Sequence, residues 1–560
     1  MEPSAPAESG DHSGLTNTGT AHTPGVSEVP GGPAAHEGVR ALVARLGVDG
    51  RRLRIALAAL GDGRWWTLAD LVRRTATSRR TIEALLREVD GELERSGDRF
   101  RLPAHWAGQE VSTLAPADPV AHLLSDRAEL VARMDELIAK APRGRHTLDH
   151  VAATGDTVVR RALLLDARFW LDGARLLCVG DHDLTSLATA MLHPGVEVTV
   201  VDVDERILAY IAGQADRLGL AVRTRWADLR LGLPASTQAW ADLAITDPPY
   251  TPEGVGLFVA RCAEGLRDRE QGRIMLAYGA SERTPALALK VQQALSQLNL
   301  VNEAIYPDFN RYLGAEAIGS AADLYVLRPT TRTWPAAAAR TDSSGTAIYT
   351  QGPQSVESTV TSTVDSTVAS AAGFEGGFVP EVLVGEWPRD VLPRAPRARL
   401  ATWLAKPYAS APARVAISVP AGLEAALPRL LLATRAGEVR VTLAAAPGNL
   451  PVDLLAPVYD LTVEGASVRA VRTTPHQDDT ARILRRVLDN AHGKLANTWR
   501  EALIKVRGEL TKKQARAVIA AVAPWADDVT VLELPAHRLL ELRAAVESSL
   551  SSPAGAGSPG

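Results

Sequence analysis

Cysteine is nearly absent. Cys178 and Cys262 are the only two in 560 residues, and both lie in apolar runs. That excludes a disulfide framework and a cysteine-rich zinc site, and it fits a reducing, cytoplasmic compartment. No stretch approaches the ~20 apolar residues of a membrane span, and residues 1–36 lack the basic start and apolar centre of a secretion signal. No membrane partner is expected. Lysine and arginine form no block: the net charge of −4 conceals no basic run, so composition alone does not support tight nucleic-acid binding. What remains, 46% hydrophobic and 22% charged residues, is ordinary for a multidomain protein of about three domains.

Residues 1–37 read as a disordered leader. A helix at Val39 to Leu60, two short amphipathic helices in Leu68 to Asp90 joined at Thr75-Ala76-Thr77, and a strand-like Asp98 to Pro103 suggest a winged helix-turn-helix over 38–105. Ser78 is a plausible helix cap, and Arg79 and Arg80 would meet DNA at the start of the second helix. The same small fold also serves dimerisation or covers a substrate, and nucleic acid is the less favoured partner. Residues 106–145 read as a helical connector. Across 146–330, apolar runs at Arg175–Asp181, Val196–Asp204, Asp242–Asp247 and Gly272–Tyr278 alternate with helical patterns, the mark of a Rossmann-like, doubly wound α/β sheet. Residues 331–376, with Ser-Thr-Val repeating every four residues over Ser358 to Ala369, read as a linker. A second α/β domain is expected over 377–548, with strands at Arg414–Pro420, Val439–Ala446 and Asp528–Pro535, and a disordered tail over 549–560.

A glycine-rich loop is lacking where one would be sought. Ligands of open parallel sheets bind outside the carboxyl ends of the strands, and backbone amides of such a loop usually approach an anion there. The first turn is instead Gly180-Asp181-His182-Asp183, which disfavours an anionic ligand and favours a cationic one. Capping of the next helix explains Asp183 but not Asp181 as well. Asp202, about 20 residues further on, suits ribose hydroxyls, with Asp204 as an alternative, and Asp228 suits the exocyclic amine of an adenine. The fourth turn carries Asp247-Pro248-Pro249-Tyr250. Its two prolines remove backbone donors, leaving an acceptor-only loop fit for a substrate amine. With Glu253, these carboxylates converge with no Lys or Arg expected beside them, so a cation is required. Histidine ligands beyond His182 are missing, so no metal is expected and an organic polycation fits better.

These motifs, with "DFNRY" at Asp308 to Tyr312 and Glu253-Gly254 after the fourth turn, resemble the branched-chain polyamine synthases, or bis(aminopropyl)spermidine synthases, over roughly residues 40–330. That family usually has a third acidic residue where His182 stands and Glu-Thr where Tyr250-Thr251 stand. The resemblance implies a methyltransferase-like fold and transfer of an aminopropyl group from decarboxylated S-adenosylmethionine, as co-substrate rather than tightly bound cofactor, to an amine of spermidine or a related polyamine. A homodimer is expected. Asp183 would accept the amine's proton, Asp181 hold the donor ammonium and Asp247 the acceptor. Gly180, Asp202, Asp204 and Asp228 would surround the donor. His182, Pro248, Pro249, Tyr250 and Glu253 would line the acceptor site, with Tyr250 placed for cation–π contact. Two alternatives stand beside this: an amino-group methyltransferase acting on nucleic acid, and a polyamine-sensing regulator that binds DNA.

Overall fold

The computed structural model describes residues 33–46, 50–103, 106, 118–343, 347–352, 354–357, 377–448, 450, 452–474 and 478–552. Most of the expected leader, the Ser-Thr-Val tract and the tail beyond 552 lie outside the described residues. The chain divides into two compact units, Met1–Thr67 with Glu83–Ser112, and Leu68–Ile82 with Thr113–Gly560.

In the first unit helix α1 (Pro33–Leu46) begins before the expected leader boundary, and α2 (Gly50–Leu60) buries Leu53, Ala56, Leu57 and Leu60, the i, i+3, i+4, i+7 stripe of a half-buried helix. One continuous helix was expected here; there are two. Strands β1 (Glu94–Ser96) and β2 (Arg99–Arg101) form an antiparallel hairpin, with Gly97 supplying the positive φ of the turn.

The second unit opens with α3 (Leu68–Thr75) and the start of α4 (Arg79–Glu88). The Ser78 and Thr81 hydroxyls donate to the Glu282 carboxylate at 2.7 and 2.8 Å. The helix start whose Arg79 and Arg80 were expected to meet DNA thus holds a carboxylate of the same chain through Ser78 and Thr81. Helices α5 (Ala121–Leu124) and α6 (Ala128–Lys140) lead to α7 (Gly155–Arg168), capped by the Thr154 hydroxyl accepting from Thr157 N.

Five parallel strands follow: β3 (Arg175–Val179), β4 (Glu197–Asp202), β5 (Val222–Trp226), β6 (Leu243–Thr246) and β7 (Arg273–Tyr278). Helices α8 (Thr185–Leu192), α9 (Glu205–Leu218), α10 (Pro252–Gly265) and α11 (Pro285–Gln297) alternate with them. Strands β8 (Leu300–Arg311) and β9 (Ala321–Pro329) add an antiparallel edge, giving the order β5-β4-β3-β6-β7-β9-β8. Leu176, Leu177, Cys178 and Val179 of β3 and Val198, Val200 and Val201 of β4 are all but fully buried. Each such side chain contributes roughly 1.5–3 kcal/mol, which is why these strands read as apolar runs rather than alternations. Winding reverses between β3 and β6, and the crevice opens at that switch point.

Part of the expected linker is structured. Helix α12 (Thr333–Ser343) packs on α10, and a strap closes on itself through Ile348 N to Gln354 O and Val356 N to Tyr349 O. The second sheet has the order β11-β10-β12-β13-β15-β14, built from β10 (Val382–Val384), β11 (Arg397–Ala398), β12 (Arg414–Val419), β13 (Glu438–Leu443) and an antiparallel hairpin, β14 (Tyr459–Glu464) and β15 (Ser467–Arg472). The strand expected at 528–535 is a 3₁₀ turn, Val531–Glu533, with its own capping box. The helices here are α13 (Leu400–Ala405), α14 (Leu427–Leu432), α15 (Val452–Leu455), α16 (Asp479–Leu488), α17 (Leu495–Arg507), α18 (Lys512–Val522) and α19 (Ala536–Ser551). Glu205, opening α9, ties the two sheets together: it accepts from Arg429 of α14 at 2.5 Å and from Ala536 N, the first amide of α19, at 2.7 Å. Arg429 also lies 4.0 Å over the Trp226 ring. Among the described residues no helix is long and apolar enough to cross a membrane.

Candidate active site

A cavity of about 390 Å³ opens where β3, β4, β5 and β6 end. Its wall includes Gly180, Asp181, His182, Asp183, Asp202, Asp228, Asp247, Pro248, Pro249 and Tyr250. Two expected residues stand elsewhere. Glu253 is exposed on the first turn of α10, and Asp204 caps α9 through Arg206 N while its carboxylate pairs with the Arg206 guanidinium at 2.5 Å.

The first turn is built differently from the expectation. Leu184 takes a left-handed backbone (φ +64), an uncommon geometry for a leucine that directs α8 back toward Asp181. Asp181, not Asp183, receives that helix's free amides, from Thr185 N at 2.8 Å and Ser186 N at 3.1 Å. Asp183 turns to α7 instead, accepting from Ala153 N at 2.9 Å and from Arg161 at 2.7 Å.

Arg161 corrects the expectation that no cation stands among the carboxylates. It occupies the buried stripe of α7 with Val158, Ala162 and Leu165, and is only 2% exposed. One Nη reaches Asp183 and the other reaches Asp247, each at 2.7 Å, while Nε donates to Asn310 Oδ1 at 2.8 Å. Asp247 also accepts from the Tyr312 hydroxyl at 2.7 Å and the Tyr250 hydroxyl at 3.0 Å. The ring of Tyr250 meets Tyr278 edge-on, 5.3 Å between centroids. Arg161, Asn310 and Tyr312 were given no role from sequence. The last two lie in the DFNRY motif, and an arginine on an apolar helical stripe is a signal that was open to reading.

Burial pushes Asp247 up to about 7, against the pull of Arg161 and with the help of Asp183's charge. Asp183 goes the other way: burial would raise it, but Arg161 holds it below the ordinary carboxylate range. Burial also lifts Asp181 to about 7, despite its bonds to Ser186 and Thr185, and raises Asp202, which accepts from Asp204 N and Asp181 N. Asp228 is forked by Arg230, Nε to Oδ1 at 2.9 Å and Nη2 to Oδ2 at 2.6 Å. His182 stacks on His150 at 4.6 Å. Burial lowers both imidazoles, His150 to about 4, so the pair is neutral near pH 7. Ile348, Tyr349, Thr350 and Gln351 of the strap complete the wall, with Thr350 anchored to Asp149 at 2.6 Å. Among the described residues no group of three or more His, Cys, Asp or Glu is arranged to hold a metal ion.

Residues 129–351 match the family model of the branched-chain polyamine synthase A C-terminal domain. An uncharacterized protein of Methanocaldococcus jannaschii is 39% identical over 31% of this chain and 44% of its own length. N(4)-bis(aminopropyl)spermidine synthase of Thermococcus kodakarensis is 30% identical over 33% of this chain and 53% of its own length. The chain therefore spans about half the length of the curated relatives it matches there. Another match, 30% identical over 28% of this chain and 69% of the relative, is to release factor glutamine methyltransferase of Bordetella pertussis. The crystal structure of the branched-chain polyamine synthase from Thermus thermophilus, with N4-aminopropylspermidine and 5'-methylthioadenosine, aligns at 21% identity over 52% of this chain and 92% of that one, with a TM-score of 0.39. The sheet order, with its crevice at the β3–β6 switch point, is that of the methyltransferase-like class of Rossmann domains. Within that class, residues 129–351 are similar to the C-terminal domain of branched-chain polyamine synthase A.

Proposed function

We infer that the chain transfers the aminopropyl group of decarboxylated S-adenosylmethionine to an amine of spermidine or a related polyamine. The observation that carries this reading is the charge of the cavity. Six aspartates and two arginines line it, and each arginine is engaged by carboxylates of the wall. Such a cavity attracts a donor bearing a sulfonium and an ammonium together with a polycationic acceptor, and repels the free carboxylate of intact S-adenosylmethionine. Asp202 and Asp228 lie at the ends of β4 and β5, on the nucleoside side, and Asp181 beside Gly180 is placed for the donor's ammonium.

The geometry favours Asp247 over Asp183 as the proton acceptor. Asp183 is fixed by Ala153 N and Arg161 and is a weak base. Asp247 sits on the acceptor-only loop with a pKa of about 7, matched to taking a proton near neutrality. In the step the uncharged amine's lone pair attacks the carbon next to the sulfonium. The C–S bond breaks, its electron pair stays on sulfur to leave neutral 5'-methylthioadenosine, and the amine's proton passes to Asp247. Tyr250 and Tyr312, donating to Asp247, hold the carboxylate toward the crevice.

Asp-Pro-Pro-Tyr and the match to a glutamine methyltransferase favour one second reading, methylation of a nitrogen by intact S-adenosylmethionine. Incubation with either donor and spermidine separates the two by product mass. Gain of one or two aminopropyl units from the decarboxylated donor is expected. Gain of a methyl group from the intact donor, with no aminopropyl product, overturns the first reading.

A further inference from the structure

The domain after residue 377 lies outside the family match, and none of its described residues lines the cavity. It nevertheless reaches the wall at Arg230. The turn after β12, at Pro420–Leu423, occupies the carboxyl edge of its own parallel sheet, where such folds usually grip a ligand. Here it grips Arg230: the Gly422 carbonyl accepts from Arg230 Nη2 at 2.7 Å. The same Nη2 bonds Asp228 Oδ2, so the plane of the guanidinium is fixed between Asp228 and the C-terminal turn. The strap is the third party to this junction. The Tyr349 ring lies 5.6 Å from the Arg230 guanidinium, and Gln354 Oε1 accepts from Nη1 at 3.4 Å. Gly422 has φ +78, and a Cβ placed on it would overlap Gln354 Cγ, so turn and strap are in close contact.

We propose that the C-terminal domain positions the nucleoside side of the active site: Gly422 and Gln354 hold Arg230, and Arg230 holds Asp228 and Tyr349 in the arrangement that binds the adenosyl group. This rests on the assignment of the Asp202–Asp228 side to the donor nucleoside. Gly422 and Gln354 are positioning residues, acting through Arg230 on Asp228. A carboxylate gripped by a fork keeps outward lone pairs for a ligand N–H, and their direction follows the plane of the fork. Displacing the turn rotates that plane and weakens donor binding, while Asp247, at the end of β6, keeps its surroundings.

The test uses the full chain as Gly422→Ala, Gln354→Ala and the double variant, with thermal melting to verify folding. Titration with 5'-methylthioadenosine and steady-state kinetics with decarboxylated S-adenosylmethionine supply the readouts. Gly422→Ala is expected to raise Kd and the donor KM about tenfold, about 1.4 kcal/mol, with kcat changed less than about twofold. Gln354→Ala, which removes a hold on Arg230, is expected to raise Kd and the donor KM in the same direction, and the double variant to bind no better than Gly422→Ala. Arg230→Lys, which keeps the charge without the fork, is expected to show the same KM-only loss and serves if Gly422→Ala does not fold. Folded variants that bind the nucleoside like the wild type overturn the positioning role alone. So does a loss that falls on kcat, or a double variant that binds the nucleoside like the wild type. A wild-type chain that binds neither nucleoside overturns the donor assignment and this proposal together.

Discussion

Replacing Arg161 by methionine tests the electrostatic core of the site. The guanidinium is 2% exposed and makes 2.7 Å bonds to both Asp183 and Asp247. Removing one partner of a buried ion pair costs about 3–5 kcal/mol, because a charge is left buried without compensation. In the wild type Arg161 depresses Asp183, so the stability from this pair is present above the unfolded pKa of about 3.9 and is lost as pH falls. In Arg161→Met burial acts on Asp183 unopposed and raises its folded pKa above the unfolded one. The penalty then shrinks at low pH, where the folded state takes up the proton, and grows as pH rises through the new value. With about 2–4 °C per kcal/mol for a domain of this size, scanning calorimetry should show a melting loss of about 10 °C at about pH 8 and a smaller one at about pH 5.5. An equal loss at both pH values, or a larger one at the lower, refutes the assignment of Arg161 as counter-charge to both carboxylates.

Tyr312→Phe removes a donor that favours the charged form of Asp247, so the pKa of Asp247 rises and the acid limb of kcat/KM against pH moves upward by roughly half to one unit; an unmoved limb argues against Asp247 as the proton acceptor. Asp181, raised to about 7 by burial, costs stability increasingly as pH rises from the unfolded pKa of about 3.9 to about 7, so Asp181→Asn is expected to flatten the fall in melting temperature over that range. Glu253→Gln, altering an exposed group outside the cavity wall, is expected to leave both aminopropyl transfer and melting temperature unchanged in product-mass and calorimetric assays.

The strands of the first sheet were legible because burial on both faces makes Arg175–Val179 or Glu197–Asp202 read as unbroken apolar runs. Asp181, Asp202, Asp228 and Asp247 were legible for a related reason: each ends a strand or follows it within two residues, and the fold brings strand ends to one crevice. Strands β8 and β14 were missed because they lie at sheet edges and mix exposed with buried positions, and β8 is interrupted by register shifts. Arg161 was missed because its partners are 22 and 86 residues away, a distance no local spacing rule spans. The exchange of roles between Asp181 and Asp183 turns on the left-handed Leu184, a residue whose type gives no hint of that conformation. Arg230 was given no role from sequence. Its tie to Gly422 depends on packing between segments 192 residues apart.

Glu205 has a consequence for how the chain is made. Pro535 offers α19 no side-chain cap, and the helix's first amide is held by a glutamate more than 300 residues earlier. During synthesis β4 and α9 emerge and can fold long before residue 536 leaves the ribosome. The last helix is therefore seeded on a surface already in place, and the order of assembly runs with the direction of translation. A C-terminal half released without that surface would have to start this helix unaided, with its first turn the place where it frays.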